Sequence, residues 1–158
     1  MIQCTLMTVG TLKEQYLTDA LNEYKKRIGA FAKWEEINLK EERLSDESEA
    51  AVAAALEAEG DKLLAKIPRD AYVVALCIEG KMLSSEELAA ELSRAIASKG
   101  KLCFIIGSSH GLCPRVKARA DLKLSFSRLT FPHQLVRVML AEAIYRSFTI
   151  IAGKKYHK

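Results

Sequence analysis

The sequence is poor in the side chains that hold metals and form disulfides. Its 158 residues include only four cysteines and three histidines, with no Cys-x-x-Cys pair. Structural zinc sites and disulfide frameworks need such residues at short, regular spacing, so we expect neither. Cys4 and Cys103 lie in apolar runs and are interpreted as core residues. Cys113 lies in a loop and is interpreted as a small loop residue, with a nucleophile as the alternative.

Long apolar segments and targeting signals are missing as well. The most apolar stretch, Leu135–Ile151, is interrupted by Arg137, Glu142 and Arg146, so it does not suit a membrane span. The N-terminal residues show no basic region followed by an apolar run, as a signal peptide would. We therefore predict a cytoplasmic protein without membrane contact.

Common nucleotide and hydrolase signatures are absent. Only Gly10 follows the first strand-like run, where a dinucleotide fingerprint needs Gly-x-Gly-x-x-Gly. The chain also lacks a Gly-x-x-x-x-Gly-Lys-Ser/Thr phosphate loop and a Gly-x-Ser-x-Gly elbow. A kinase, a nucleotide-driven switch and a serine hydrolase are therefore disfavoured.

Charge is distributed unevenly along the chain. The net charge is +4, but residues 1–80 carry 10 Lys/Arg against 15 Asp/Glu, whereas residues 81–158 carry 14 against 5. A basic half on a small domain favours a polyanionic partner such as RNA. The alternative is a basic solvated face opposite an acidic one.

Strand-like and helix-like patterns alternate from end to end. Strands are predicted at Ile2–Val9, Trp34–Leu39, Ala71–Ile78, Leu102–Ile106 and Leu122–Phe126. Helices are predicted at Glu14–Ile28, Ala50–Lys66, from the capping-box residue Ser84 through Ser98, from near Pro114, and at Gln134–Ile151. This alternation is typical of an α/β fold with a parallel sheet, and we assign residues 1–158 to a single domain.

Three unusual loops follow predicted strands: Cys77–Gly80, Gly107–Leu112 and Ser127–His133. Parallel sheets bind ligands beyond the carboxyl ends of their strands, and glycine lets the backbone approach a ligand closely. Considered alone, each loop has a residue composition that an ordinary turn would also explain. Three loops at one sheet edge predict a pocket.

Motifs in these loops resemble those of a known family. They are Ile105-Ile106-Gly107-x-x-x-Gly111-Leu112, the continuous segment Leu124–Arg137 with Phe131-Pro132-His133-Gln134 inside it, and the terminal Tyr156-His157-Lys158. Together they resemble the ribosomal RNA large-subunit methyltransferase H family (RlmH), and the similarity runs the whole length of the chain. RlmH proteins are SPOUT-class methyltransferases.

The resemblance implies an α/β parallel-sheet SPOUT fold with a C-terminal trefoil knot, and a homodimer. It also implies S-adenosylmethionine as methyl donor, no metal, and N3 of a pseudouridine in 23S ribosomal RNA of the assembled ribosome as target. The family's cofactor-binding positions fall on Leu76, Gly107, Phe126, Ser127, Arg128, Leu129, Thr130 and Phe131.

Two positions depart from the family pattern. Ser108 stands where the family usually has a second glycine, and His110 stands where an acidic or amide residue is common. If the first position needs a positive φ, Ser108 is strained by on the order of 1 kcal/mol.

Four residues are catalytic candidates. His133 lies at a predicted helix N-terminus, where the helix dipole keeps a neutral imidazole available as a base; its alternative is a cap or a structural hydrogen bond. Arg137 lies one turn further and is expected to face phosphate or the cofactor's carboxylate, with a buried ion pair as the alternative. Tyr156 and His157 are assigned to the site by the resemblance, against a frayed terminus.

Other readings remain open at this point. A basic cluster suits RNA phosphates or simply forms a solvated face; it comprises Arg115, Lys117, Arg119, Lys123 and Arg128. The function alternatives are a non-catalytic ribosome-binding module, supported by the Ser108 departure, and methylation of a small molecule or a transfer RNA.

Overall fold

A five-stranded sheet forms the centre of the molecule. The structure is a computed structural model that describes all residues, Met1–Lys158. The strands are β1 (Ile2–Val9), β2 (Ala32–Leu39), β3 (Tyr72–Lys81), β4 (Lys101–Ile106) and β5 (Leu122–Leu124). They lie in the order β2-β1-β4-β3-β5 and every pair is parallel. The predicted α/β fold with a parallel sheet is therefore confirmed.

Five helices connect the strands. They are α1 (Gln15–Ile28), α2 (Glu49–Lys66), α3 (Ser85–Lys99), α4 (Pro114–Arg119) and α5 (His133–Ile151). The predicted capping box is present, because Ser84 Oγ accepts the Glu87 N–H and the Glu87 side chain accepts the Ser84 N–H. None of the five helices combines the length and hydropathy that a membrane span requires.

Side chains alternate between two hydrophobic cores, one on each face of the sheet. Leu6 and Phe104 point to the face covered by α1, α3 and α5, whereas the neighbouring Met7 and Ile105 point to the face covered by α2 and α4. Strands covered on both faces are apolar throughout, which explains their continuous hydrophobic runs. Helix α5 packs against both α1 and α3, and its Leu140, Ala141, Ile144 and Phe148 are buried.

Two strand ends differ from the predicted bounds. Strand β3 continues past Ile78 to Lys81, because Lys81 resumes pairing with Leu124 after an irregularity that follows Leu76. Strand β5 ends at Leu124 rather than Phe126, since the Ser125 hydroxyl donates to the Ser127 carbonyl and turns the chain. Both differences arise from long-range or loop contacts that strand periodicity does not contain.

Cys113 lies in the loop that precedes α4, as predicted, but it is also a core residue. Its side chain is 1% exposed and lies at the N-terminal end of α4. It packs against Gly60 on α2, where a Cβ atom would overlap Cys113 Sγ. Cys4 and Cys103 are fully buried, which confirms their interpretation. The contact between Gly60 and Cys113 brings α2 close to α4.

We predict that Gly60→Ala lowers the free energy of unfolding by about 1–3 kcal/mol, because the added methyl group overpacks the contact with Cys113. Without this contact, alanine would stabilise the helix interior by about 1 kcal/mol relative to glycine. Urea unfolding measures the change. The double variant Gly60→Ala/Cys113→Ala, which removes the sulfur, is the control and should recover most of the loss. A single variant as stable as the wild type would contradict the prediction.

Candidate active site

The ends of β3, β4 and β5 meet in one cavity with a volume of about 640 Å³. All three loops predicted to form a pocket contribute to its wall, and so does the N-terminal end of α5. The cavity has the size of pockets that hold cofactors and drug-sized ligands. Strands β4, β3 and β5 are neighbours in the sheet, so the loops that follow them are neighbours too.

Seven of the eight predicted cofactor-binding residues line this cavity. They are Leu76, Gly107, Phe126, Ser127, Leu129, Thr130 and Phe131. Arg128 does not line it and is exposed to solvent. Apolar side chains and backbone therefore provide most of the wall, and Arg128 is available to a partner outside the cavity.

The loop after β4 is held by a close backbone approach. At Gly107 a Cβ atom would overlap the carbonyl group of Gly111, so only glycine fits. The Gly111 N–H donates to the Ser108 carbonyl oxygen at 2.9 Å and closes the turn. Ser108 is buried. Its φ is not positive; among the non-glycine residues only Asp70 has a positive φ. The strain considered for Ser108 is therefore absent.

The loop after β5 is organised by its serines. The Ser125 hydroxyl donates to the Ser127 carbonyl at 3.0 Å, and the Ser127 hydroxyl accepts the Leu129 N–H at 3.0 Å. Leu129 lies at the cavity with 70% of its surface exposed. An apolar side chain held in the open at a cavity wall is available to a ligand or a second subunit.

His133 is the first residue of α5 and lines the cavity. Pro132 occupies the N-cap position and no side-chain hydrogen bond caps the helix, so His133 is not a cap. The ring Nε2 lies 3.9 Å from the position that a Cβ atom on Gly10 would take, at the end of β1. The imidazole therefore lies between the cavity and the end of the first strand.

Arg137 points away from the cavity and into the protein. Only 3% of it is exposed, and its Nη2 donates to the carbonyl oxygens of Gly10 at 2.8 Å and Val9 at 3.4 Å. Burial lowers the pKa of its guanidinium, and its buried Nε has no hydrogen-bond partner. Within this chain Arg137 binds backbone carbonyls at the end of β1. It forms no ion pair and does not face the cavity, so both predicted roles are wrong for the single chain.

The C-terminal tail docks on α3 and α5, outside its own cavity. The Tyr156 hydroxyl donates to Glu142 at 3.2 Å, and the Arg146 guanidinium lies 4.7 Å from the Tyr156 ring centre. The two nitrogens of His157 contact Glu86 at 2.7 Å and Arg146 at 3.1 Å. Glu142 and Arg146, four residues apart on α5, form an ion pair at 2.6 Å. The structure thus separates Tyr156 and His157 from His133 within one chain.

Most of the basic cluster is paired with carboxylates of the same chain. Arg115 contacts Glu57 and Asp61 at 2.8 and 2.6 Å, Lys117 contacts Glu79, and Arg119 lies 3.6 Å from Asp121. Phosphate groups of RNA would have to compete with these partners. The ion pairs therefore favour the alternative that this cluster forms a solvated face.

Of two acidic residues near the cavity, Glu79 lies in the predicted loop Cys77–Gly80, and Glu59 was not predicted. Glu79 pairs with Lys117, and both line the wall, where the pair holds the pKa of Glu79 below its usual range. Glu59 is buried in α2 behind the loop that contains Ser108. The one signal for Glu59 was its neighbour Gly60, a glycine inside an alanine-rich helix. No group of three or more His, Cys, Asp or Glu side chains is arranged to hold a metal ion.

Comparison with known proteins identifies the class. Residues 2–157 match the family described as "Predicted SPOUT methyltransferase". A solved structure of a probable methylase family protein from Haemophilus influenzae matches over 100% of this chain and 72% of its own length. The TM-score is 0.55 and the sequence identity is 14%, so the two proteins share a fold. The chain belongs to the SPOUT methyltransferase family.

Within that family the chain is similar to proteins of one particular name. Curated relatives called ribosomal RNA large subunit methyltransferase H occur in Bacillus pumilus, 49% identical over 98% of both chains, and in Streptococcus thermophilus, 51% identical over 97% of this chain and 98% of the relative. A Listeria monocytogenes relative of that name is 47% identical over 97% of this chain and 98% of its own. The resemblance found from the motifs is confirmed over nearly the full length.

Proposed function

We propose that the chain transfers a methyl group from S-adenosylmethionine to N3 of a pseudouridine in 23S ribosomal RNA of the assembled ribosome, in the cytoplasm. The cavity at the ends of β3, β4 and β5 is the observation that carries the proposal. It lies in a chain of the SPOUT family whose full-length relatives are named ribosomal RNA large subunit methyltransferase H. The pseudouridine target and the trefoil knot rest on the resemblance.

The residues of the cavity suit this donor. A volume of about 640 Å³ accommodates a nucleoside-sized ligand, and Leu76, Phe126 and Phe131 offer apolar surface to an adenine ring. The close approach at Gly107 exposes backbone rather than a side chain to the ligand. When bound, the donor supplies a sulfonium-activated methyl group, so the chain chiefly has to align the reaction and manage one proton.

His133 is the residue that handles this proton. A uracil-type N3–H must lose its proton when N3 is methylated, and a neutral imidazole accepts it on a ring nitrogen. His133 is the first residue of α5 and lines the cavity, so its ring can reach a base bound there. Arg137, one turn further, acts as a support: it fixes α5 to the end of β1 through the Gly10 and Val9 carbonyls.

A homodimer completes the site. Tyr156 and His157 lie outside the cavity of their own chain, so a role in the reaction requires a second copy to bring its tail to the cavity. The apolar side chains of Leu129 and Leu135, 70% and 38% exposed, lie beside the cavity mouth and at the start of α5. Their burial against a second copy would favour such a dimer.

The alternative of a non-catalytic ribosome-binding module loses its support. It rested on Ser108, and Ser108 takes an ordinary backbone conformation. A binding module also has no need of a cavity suited to the methyl donor.

Ribosomes from a strain that lacks this modification test the function directly. We expect the purified protein and S-adenosylmethionine to add one methyl group per ribosome, and mass spectrometry of digested 23S ribosomal RNA to place it on pseudouridine N3. Methylation of transfer RNA or of a small molecule in place of the ribosome would contradict the proposed substrate.

We predict that His133→Ala slows methyl transfer by about 10²- to 10⁴-fold, the usual contribution of a general base. Affinity for S-adenosylmethionine, measured by calorimetry, should change little. Gln134→Ala is the matched control: this side chain accepts the Lys13 N–H at 3.1 Å at the same helix end and does not line the cavity. Wild-type turnover by His133→Ala would rule out the proton-accepting role.

Deletion of Tyr156–Lys158 should spare donor binding and abolish methylation of ribosomes. The deleted residues contact α3 and α5, so the cavity of the same chain keeps its wall. Calorimetry with S-adenosylmethionine and the ribosome assay measure the two effects in one preparation. Unimpaired methylation by the truncated protein would show that the tail has no part in the reaction.

A further inference from the structure

Glu59 is the one carboxylate buried in the protein, with 3% of its surface exposed. It lies in the middle of α2, beside the glycine that packs against Cys113. Burial of a carboxylate is unfavourable unless hydrogen bonds replace the lost water. The charge at this position therefore needs an explanation beyond packing.

Two loops supply the groups that compensate this charge. Glu59 Oε2 accepts the backbone N–H of Glu42 at 3.0 Å. Burial raises the pKa of Glu59, and the Glu42 N–H and the Ser108 hydroxyl oppose that rise. The carboxylate thus lies between the segment that follows β2 and the loop that follows β4.

Both compensating groups belong to segments beside the cavity. Ser108 lines the cavity and accepts the Gly111 N–H that closes the pocket loop. Glu42 follows Glu41, whose side chain accepts the Ser109 hydroxyl at 3.5 Å and approaches Gly10 at the end of β1. A movement at Glu59 would therefore shift Ser108 in the cavity wall and the neighbouring segment after β2 together.

We propose that Glu59 is a positioning residue for donor binding, because its carboxylate holds residues 40–44 against the pocket loop Gly107–Leu112 and so fixes the shape of the cavity wall. The inference rests on the proposed function. Glu59 does not line the cavity itself, so it acts through Ser108 and Glu42.

A purely structural role makes a different prediction from a positioning role. Since burial raises the pKa of Glu59, folding disfavours its charged form, and a neutral residue of the same shape removes this cost. Glutamine keeps one oxygen for the Glu42 N–H, but it replaces the other oxygen by a donor group. The new amide group can donate to the Ser108 hydroxyl oxygen, so Glu59→Gln should retain stability and both contacts. Glu59→Met keeps the length of the side chain but loses both contacts.

The test compares Glu59→Met and Glu59→Gln with the wild type in thermal unfolding and in calorimetric titration with S-adenosylmethionine. We expect Glu59→Gln to keep a Tm equal to or above that of the wild type and an unchanged Kd, and Glu59→Met to show a Kd about tenfold weaker, equivalent to about 1.4 kcal/mol. Ser108→Ala removes the same contact from the loop side and should weaken binding similarly, with less than additive loss in the double variant. Glu57→Gln, an exposed residue of α2 paired with Arg115, is the control and should leave the Kd unchanged.

A Kd within twofold of the wild type in Glu59→Met would overturn the inference. If that variant does not fold, Ser108→Ala decides, and unchanged affinity there would overturn it as well. A wild-type protein that binds no S-adenosylmethionine would remove the proposed function and this inference with it. Binding by the wild type and equal binding by Glu59→Met and Ser108→Ala would remove the inference alone.

Discussion

The adjacency of β4, β3 and β5 in a parallel sheet is the constraint on which the site depends. Parallel strands end at the same edge, so the loops that follow these three strands have to share one space. The close backbone approach between Gly107 and Gly111 keeps the loop after β4 compact, and this loop forms part of the cavity wall. Without this strand order, the same motifs would lie far apart.

Buried charges then attach the loops to the sheet. Arg137 fastens the start of α5 to the carbonyls at the end of β1, while Glu59 contacts the segment after β2 and the loop after β4. Both groups have pKa values shifted against their charged forms by burial, so both charges are kept at some cost in stability. Charges retained in this way next to a cavity are typical of functional sites.

Local signals in the sequence were sufficient for the elements and for most of the cavity wall. The Ser84 capping box and the buried Cys4 and Cys103 follow from spacing and apolar runs, whereas the seven cavity-lining positions follow from the family resemblance. The remaining features depend on contacts between distant residues. Cys113 is buried because Gly60 of α2 packs against it. The carbonyl partners of Arg137 are more than 120 positions away in the sequence. The φ of Ser108 depends on the geometry of the whole turn, which the sequence motif does not specify.

A crystal structure of the protein grown with S-adenosylmethionine shows whether the cavity binds this donor. We expect electron density for the donor among Leu76, Gly107 and Phe131, with the methyl group on the side of His133. Density for the donor at another surface, or a cavity that stays empty at saturating donor, would contradict it.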